Sequence, residues 1–156
     1  MELTNDLWKA MLLTFGTAML PVLELRAAIP VGIAAGLTPM MAYWLSVAGN
    51  LVPVPAIMLL IRQIFDWLRH KPFIGPKIEK LERRAHLKGH IVRKYRVLGL
   101  LLLVGIPLPG TGAWTGALVA ALLDIRMRDA LPAILLGLLA AGAITMAVTL
   151  GIQWML

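Results

Sequence analysis

Residues 130–156 run for 27 positions without a charged side chain, and residues 41–61 do so for 21. A helix of about 20 apolar residues is long enough to cross the hydrocarbon core of a bilayer, so both stretches read as membrane-spanning helices. The rest of the chain agrees with that solvent. Of its 156 residues, 60% are hydrophobic and 15% charged, with a mean hydropathy of +0.83, well outside the range of soluble domains. Residues 1–156 are read as one membrane domain. The absence of cysteine excludes a disulfide framework and a thiolate metal site. The opening "MELTND" carries two acids and no basic region ahead of the apolar run, which argues against a cleaved signal peptide, so this end is expected to belong to the fold.

The formal charge of +7 is concentrated in one place. Between Arg62 and Arg96 lie eleven Lys or Arg against Asp66, Glu79 and Glu82. A short basic loop between apolar segments is retained in the cytoplasm, which accounts for the charge without a nucleic acid partner. Ile78, Leu81, Ala85, Val92 and Tyr95 recur at roughly helical spacing behind Pro76, as an amphipathic helix on the inner leaflet or a solvated connector would have them. His86 and His90 have the i,i+4 spacing of a metal pair but no third ligand nearby, so no metal site is assigned.

The two remaining apolar segments are interrupted. Segment 10–38 contains Pro21, Glu24, Arg26 and Pro30, and segment 97–123 contains "GIPLPGTG" at 105–112. Proline and glycine stop a helix there, leaving limbs of about ten residues that reach roughly 15 Å, half the hydrocarbon thickness. Both segments read as re-entrant hairpins. Irregular backbone at that depth must be buried in protein or line a wet cavity, so the tips imply an internal site. The order hairpin, span, basic loop, hairpin, span is a duplication: repeat 1 at about 7–62, connector 63–96, repeat 2 at about 97–156. A shift of 88 aligns Leu20-Pro21 with Leu108-Pro109, Val31 with Val119, Ala42 with Ala130, Gly49 with Gly137 and Leu51 with Leu139. Each unit crosses once, which makes the repeats inverted, as in many secondary transporters. The rival plan treats all four segments as complete spans and moves both termini to the cytoplasm.

Glu24 and Arg26 stand in the interrupted first segment, where a charge costs at least about 2.5–3.5 kcal/mol. The functional reading of Glu24 is a protonatable group that couples proton movement to transport; the structural one is a first-turn acid holding a hairpin tip. Arg26 reads as a contact for an anionic headgroup, or as a partner of Glu24, or as a snorkelling side chain. In the second tip, Thr111 is expected to cap a helix starting at Gly112, whose first amides stay open to a ligand. Gly110, Gly112 and Gly116 suit that role or simple close packing of helices. Trp114, opposite Arg26 in the repeat register, lines the site or packs in the core. Ser46 and Asn50 are expected to bond to neighbouring helices, Pro53 and Pro55 to kink the first span, and Trp8, Trp67 and Trp154 to anchor segment ends.

"PVLELRAAIPVG" and "PLPGTGAWTGALVAALL" resemble the two signature stretches of the bacterial small multidrug export family, over nearly the whole chain. That family is similar to the DedA/VTT superfamily, and the resemblance implies paired re-entrant hairpins and a role in moving lipids, including the polyprenyl-phosphate carrier, across the bacterial inner membrane. By the resemblance, Glu24 matches the acid of the first hairpin and Pro109-Gly110 the Pro-Gly of the second. Where DedA proteins carry an arginine after that Pro-Gly, this chain has Thr111, Gly112 and Ala113. Arg26 would then supply the charge from the other hairpin.

The expectation is therefore an all-α, multi-pass inner-membrane transporter or flippase for an amphiphilic, phosphate-bearing lipid, coupled to protons through Glu24. Arg26, Pro21, Pro30, Pro109, Gly110, Thr111, Gly112 and Trp114 complete the site. The alternative is proton-coupled export of lipophilic cations; a scaffold without transport is the third class. No P-loop, intramembrane carboxylate pair or histidine outside the basic loop points to an enzyme, and no cofactor is implied. The partners expected are membrane lipids, the amphiphilic substrate, protons and a second copy of the chain, since so few helices make a thin wall.

Overall fold

The computed structural model describes residues 2–69, 89–108 and 110–155. Among these residues the chain is all helical: α1 (Glu2–Met19), α2 (Glu24–Ala34), α3 (Pro39–Leu51), α4 (Pro53–Arg69), α5 (Gly89–Gly105), α6 (Ala113–Leu122) and α7 (Met127–Met155). Most of the 76–96 stretch, with His86 of the expected i,i+4 pair, lies outside the described residues. The described end of it differs from the expected boundary. Helix α5 runs through position 97 without a break, because Gly89–Gly105 has no helix-stopping residue between the basic turn and the apolar limb.

Among the described residues two helices are long and apolar enough to cross a membrane: Pro39–Ile64, with mean hydropathy 1.9, and Met127–Met155, with 2.3. The first joins α3 to α4 through Val52, whose N–H still donates to Ala48 O at 3.2 Å. Pro53 thus opens α4, where its missing N–H costs little. These two helices agree with the spans expected at 41–61 and 130–156. The two interrupted segments form helix pairs, α1/α2 and α5/α6, broken at residues 20–23 and 106–112. Pro30 does not add a second break. It sits inside α2, where it leaves the Arg26 carbonyl without its usual i+4 donor.

Apart from the joint at Val52, which has no counterpart in α7, element boundaries in the two halves fall at the same places when offset by 88 positions, to within two residues. Both α2 and α6 end in the same Schellman turn. Leu37 N donates to Gly32 O at 3.0 Å and Gly36 N to Ile33 O at 3.0 Å; Ile125 N donates to Ala120 O at 2.9 Å and Asp124 N to Ala121 O at 3.2 Å. The left-handed position is Gly36 in one turn (φ 92°) and Asp124 in the other (φ 51°). Leu37 and Ile125 then turn inward and are buried. Helix α3 follows with Thr38 as its cap, the hydroxyl accepting from Met41 N at 3.3 Å, and Pro39 in its first turn.

Within each half the first helix packs along the long one, α1 on α3 and α5 on α7, and the second helix fills the remaining side. Glycine makes both approaches close. A Cβ at Gly49 would lie 2.6 Å from Phe15 O, and one at Gly137 would lie 2.7 Å from Val104 Cβ and 3.0 Å from Leu101 O. These contacts fix where the breaks fall along the long helices. The first lies beside Gly49 and Asn50, and the second, following Gly105, beside Gly137 and Ala140, each well inside a long helix. Across the halves, α2 packs on α7 and α6 on α4. Arg62 and Arg96 hold the far end of α6: Arg62 Nη2 donates to Ile125 O at 2.7 Å and Arg96 Nη1 to Leu123 O at 3.1 Å. Cations at a helix C-terminus complement its carbonyls.

Candidate functional site

The two breaks meet, and Glu24 is where they touch. It is the first residue of α2, its backbone is left-handed (φ 48°), and it is 6% exposed. Among the described residues it is the one buried side chain that carries a charge. Its carboxylate lies against Gly112, which leaves no room for a side chain there, and accepts the backbone N–H of Trp114 in the first turn of α6. One carboxylate thus sits at the N-terminal ends of two helices, its own and that of the other half.

Arg26 does not pair off with Glu24. Its guanidinium turns to the second break, where Nη1 donates to Leu108 O and Nη2 to Thr111 O, with Thr111 Oγ1 at 3.1 Å from Nη2. The planar fork suits two carbonyls as it would suit two phosphate oxygens. Trp114 makes the reverse reach, its Nε1 donating to Met19 O at 3.1 Å, in the last turn of α1. Arg26 and Trp114 are 88 positions apart, so each half extends one side chain onto the other's interrupted backbone. A helix break frees carbonyls from their intrahelical donors, and these two side chains supply replacements.

Thr111 does not cap α6. Gly112 occupies the cap position and makes no side-chain hydrogen bond. The Thr111 hydroxyl folds back onto its own loop, 2.9 Å from Ile106 O, 3.0 Å from Leu108 O and 3.3 Å from Leu108 N. Glu24 takes the amide that Thr111 was expected to serve, because the loop turns the hydroxyl away while the packing of α2 delivers a carboxylate. The three glycines have separate reasons to be small. Gly110 adopts a left-handed φ of 80° in open space, Gly112 makes room for Glu24, and Gly116 lets Val104 of α5 approach, a Cβ there falling 2.6 Å from Val104 Cγ2.

Glu24, Arg26, Thr111, Gly112 and Trp114 are therefore brought together, with Gly110 beside them through the 2.8 Å bond from Thr115 Oγ1 to its carbonyl. Pro21 is exposed in the first break, Pro30 lies further along α2, and Pro109 lies outside the described residues. Asn50 joins the group from α3. With no exposed surface, its amide is oriented by its neighbours: the one assignment that satisfies both ends has the nitrogen donating to Ala18 O at 3.3 Å and the oxygen accepting from Leu25 N at 3.2 Å. Ser46, one turn earlier on the same face and also fully buried, has no partner for Oγ, so the expected helix-to-helix bond is made by Asn50 and not by Ser46. The signal for Asn50 was present in the sequence as an amide in the middle of a charge-free span. Its partners were not, because both lie on other helices. Among the described residues no group of three or more His, Cys, Asp or Glu is placed to hold a metal ion.

Residues 24–144 match the model of a family described as "Putative small multi-drug export protein". The match starts at Glu24, just after the first break, and covers α2, the first long helix, the second break, α6 and the last helix as far as residue 144. No curated protein and no solved structure matches the chain.

Proposed function

For a chain that belongs to the small multi-drug export protein family, we propose a proton-coupled transporter or flippase whose two helix pairs are re-entrant hairpins in inverted repeats, meeting at Glu24. The observation that carries the reading is the burial of Glu24 between the two breaks, its carboxylate against Gly112 and on the Trp114 N–H. In this mechanism Glu24 exchanges its proton with water when the tips are parted and keeps it when they close. The re-entrant geometry is supported by breaks that lie level with Gly49 and Gly137, inside long helices and not at their ends. The repeat is supported by the shared Schellman turns, the paired glycines and the reciprocal reach of Arg26 and Trp114.

The substrate we propose is an amphiphile with a phosphate-bearing headgroup, such as polyprenyl phosphate, presented from the membrane. Arg26 supports this choice: a phosphate can replace the Leu108 and Thr111 carbonyls on its guanidinium with the same two-pronged geometry. The likeness to the DedA/VTT superfamily belongs to this proposal. It gains support from Arg26 reaching the loop in which that superfamily has its arginine. Export of a lipophilic cation is the second reading. It fits the family's description, and a buried carboxylate beside an apolar wall suits a cation that displaces a proton.

Arg26→Ala separates the two. Transport of an anionic lipid in proteoliposomes is expected to fall at least about tenfold, consistent with losing a charge-assisted contact, while uptake of a lipophilic cation holds or rises. Loss of the cation alone reverses the assignment of substrate, and loss of both returns Arg26 to holding the second break. Topology has its own test. With the 62–96 loop in the cytoplasm, a reporter fused after Leu156 is expected to be active only on the far side of the inner membrane, and cytoplasmic activity there removes the re-entrant plan. A homodimer completes the proposal, since so few helices make a thin wall around a cavity.

A further inference from the structure

Glu24 is an unusual residue to find at φ 48°. A side chain with a Cβ rarely adopts that region, and a long acid has no local hydrogen bond to favour it. Something must hold the backbone there. The preceding residues do part of this: Glu24 N donates to Leu20 O at 3.1 Å, closing the turn 20–24. That bond leaves two neighbours open, the Ala18 carbonyl at the end of α1 and the Leu25 N–H at the start of α2. Both would be orphans of a helix terminus, buried away from water.

We propose that Asn50 is the positioning residue of this site, its amide tying Ala18 O to Leu25 N–H and thereby fixing the left-handed turn that aims the Glu24 carboxylate at α6. One side chain from the long helix joins both sides of the break. An amide suits this task because it donates and accepts at once, in one plane. Its backbone cannot drift, for Gly49 beside it is seated directly on Phe15 O and Ala18 of α1. The register supports a role confined to the first half. The residue 88 positions on is Leu138, buried and apolar, and the second break is held instead by Thr111 and Arg26. The clamp is thus built where the acid is. Around Glu24, the charged group acting on it is Arg26, and the groups facing it from α3 and α6 are the neutral Asn50 and Trp114.

The inference rests on Glu24 being the proton-coupled group, and its test keeps the two apart. Protein in lipid vesicles is titrated by difference infrared spectroscopy, with protons as the probe, and the carboxyl band missing from Glu24→Gln is assigned to Glu24. Asn50→Leu, close in size and without either hydrogen bond, is expected to displace the midpoint of that band by at least about one pH unit, a tenfold change in proton affinity. Asn50→Asp retains the acceptor for Leu25 and loses the donor to Ala18, and is expected to displace it as well. A wild-type midpoint in either accumulated variant overturns the proposal, since a residue that only packs helices would leave the titration where it was. Failure of both variants to accumulate also overturns it, making Asn50 a folding residue alone. If the band moves while Glu24→Gln transports normally, the positioning role stands and the proton-coupled function falls.

Discussion

Glu24→Gln is expected to remove the pH dependence of transport altogether while leaving the folded protein in the membrane. One coupled proton gives a rate that changes up to about tenfold per pH unit where supply of that proton limits it. In the variant the profile becomes flat and sits at the level of vesicles without protein. Glutamine keeps the size of the side chain and a carbonyl oxygen for the Trp114 N–H, so the junction of the two breaks retains its hydrogen bond. What it loses is the exchangeable proton. The measurement is substrate flux in proteoliposomes across pH, set beside the amount of folded protein recovered. Undiminished, pH-dependent flux would falsify the coupling role. A protein that no longer accumulates at all would return Glu24 to the architecture of the hairpin, the scaffold reading.

The second large effect is expected at Gly112→Ala. The backbone there is fully extended (φ −178°), which any residue adopts, so the penalty comes from space and not from conformation. An added Cβ would occupy the position of the Glu24 carboxylate. Either α6 moves off, opening the contact between the breaks, or Glu24 leaves the Trp114 N–H. Inserting one carbon into a filled interior costs about 1–3 kcal/mol. Thermal unfolding of the purified protein reads that loss, and flux is expected to vanish with it. The double variant Glu24→Ala, Gly112→Ala supplies the control. Shortening the acid frees the space, so stability should recover while transport does not, and the two substitutions should be strongly non-additive. Simple additivity would mean that the carboxylate does not rest on Gly112 in the membrane.

Much of the frame could be read locally. The long apolar runs announced two spans, and proline and glycine announced where the other segments break, because helix length and helix stopping depend on a residue and its near neighbours. Pro21 and the 105–112 stretch were read correctly as breaks. Pro30 was not one, since a proline within packed helices costs a single hydrogen bond that tertiary contacts can offset. Thr111 illustrates the opposite failure. Its position one residue before the predicted helix made it a cap by sequence logic, yet its hydroxyl serves the loop and an acid 87 positions earlier in the chain serves the helix.

The amino-acid sequence by itself determined the solvent of this protein, its long helices, the places where its short ones stop, and the need for some protected setting for Glu24 and Arg26. Only the tertiary structure decided what that setting is: Glu24 on Gly112 and Trp114, Arg26 on the Leu108 and Thr111 carbonyls, and Asn50 across the first break. The reason is physical. Hydropathy and helix stopping are properties of adjacent residues, whereas the partner of a buried polar group is whichever group close packing brings within about 3 Å, from any distance along the chain.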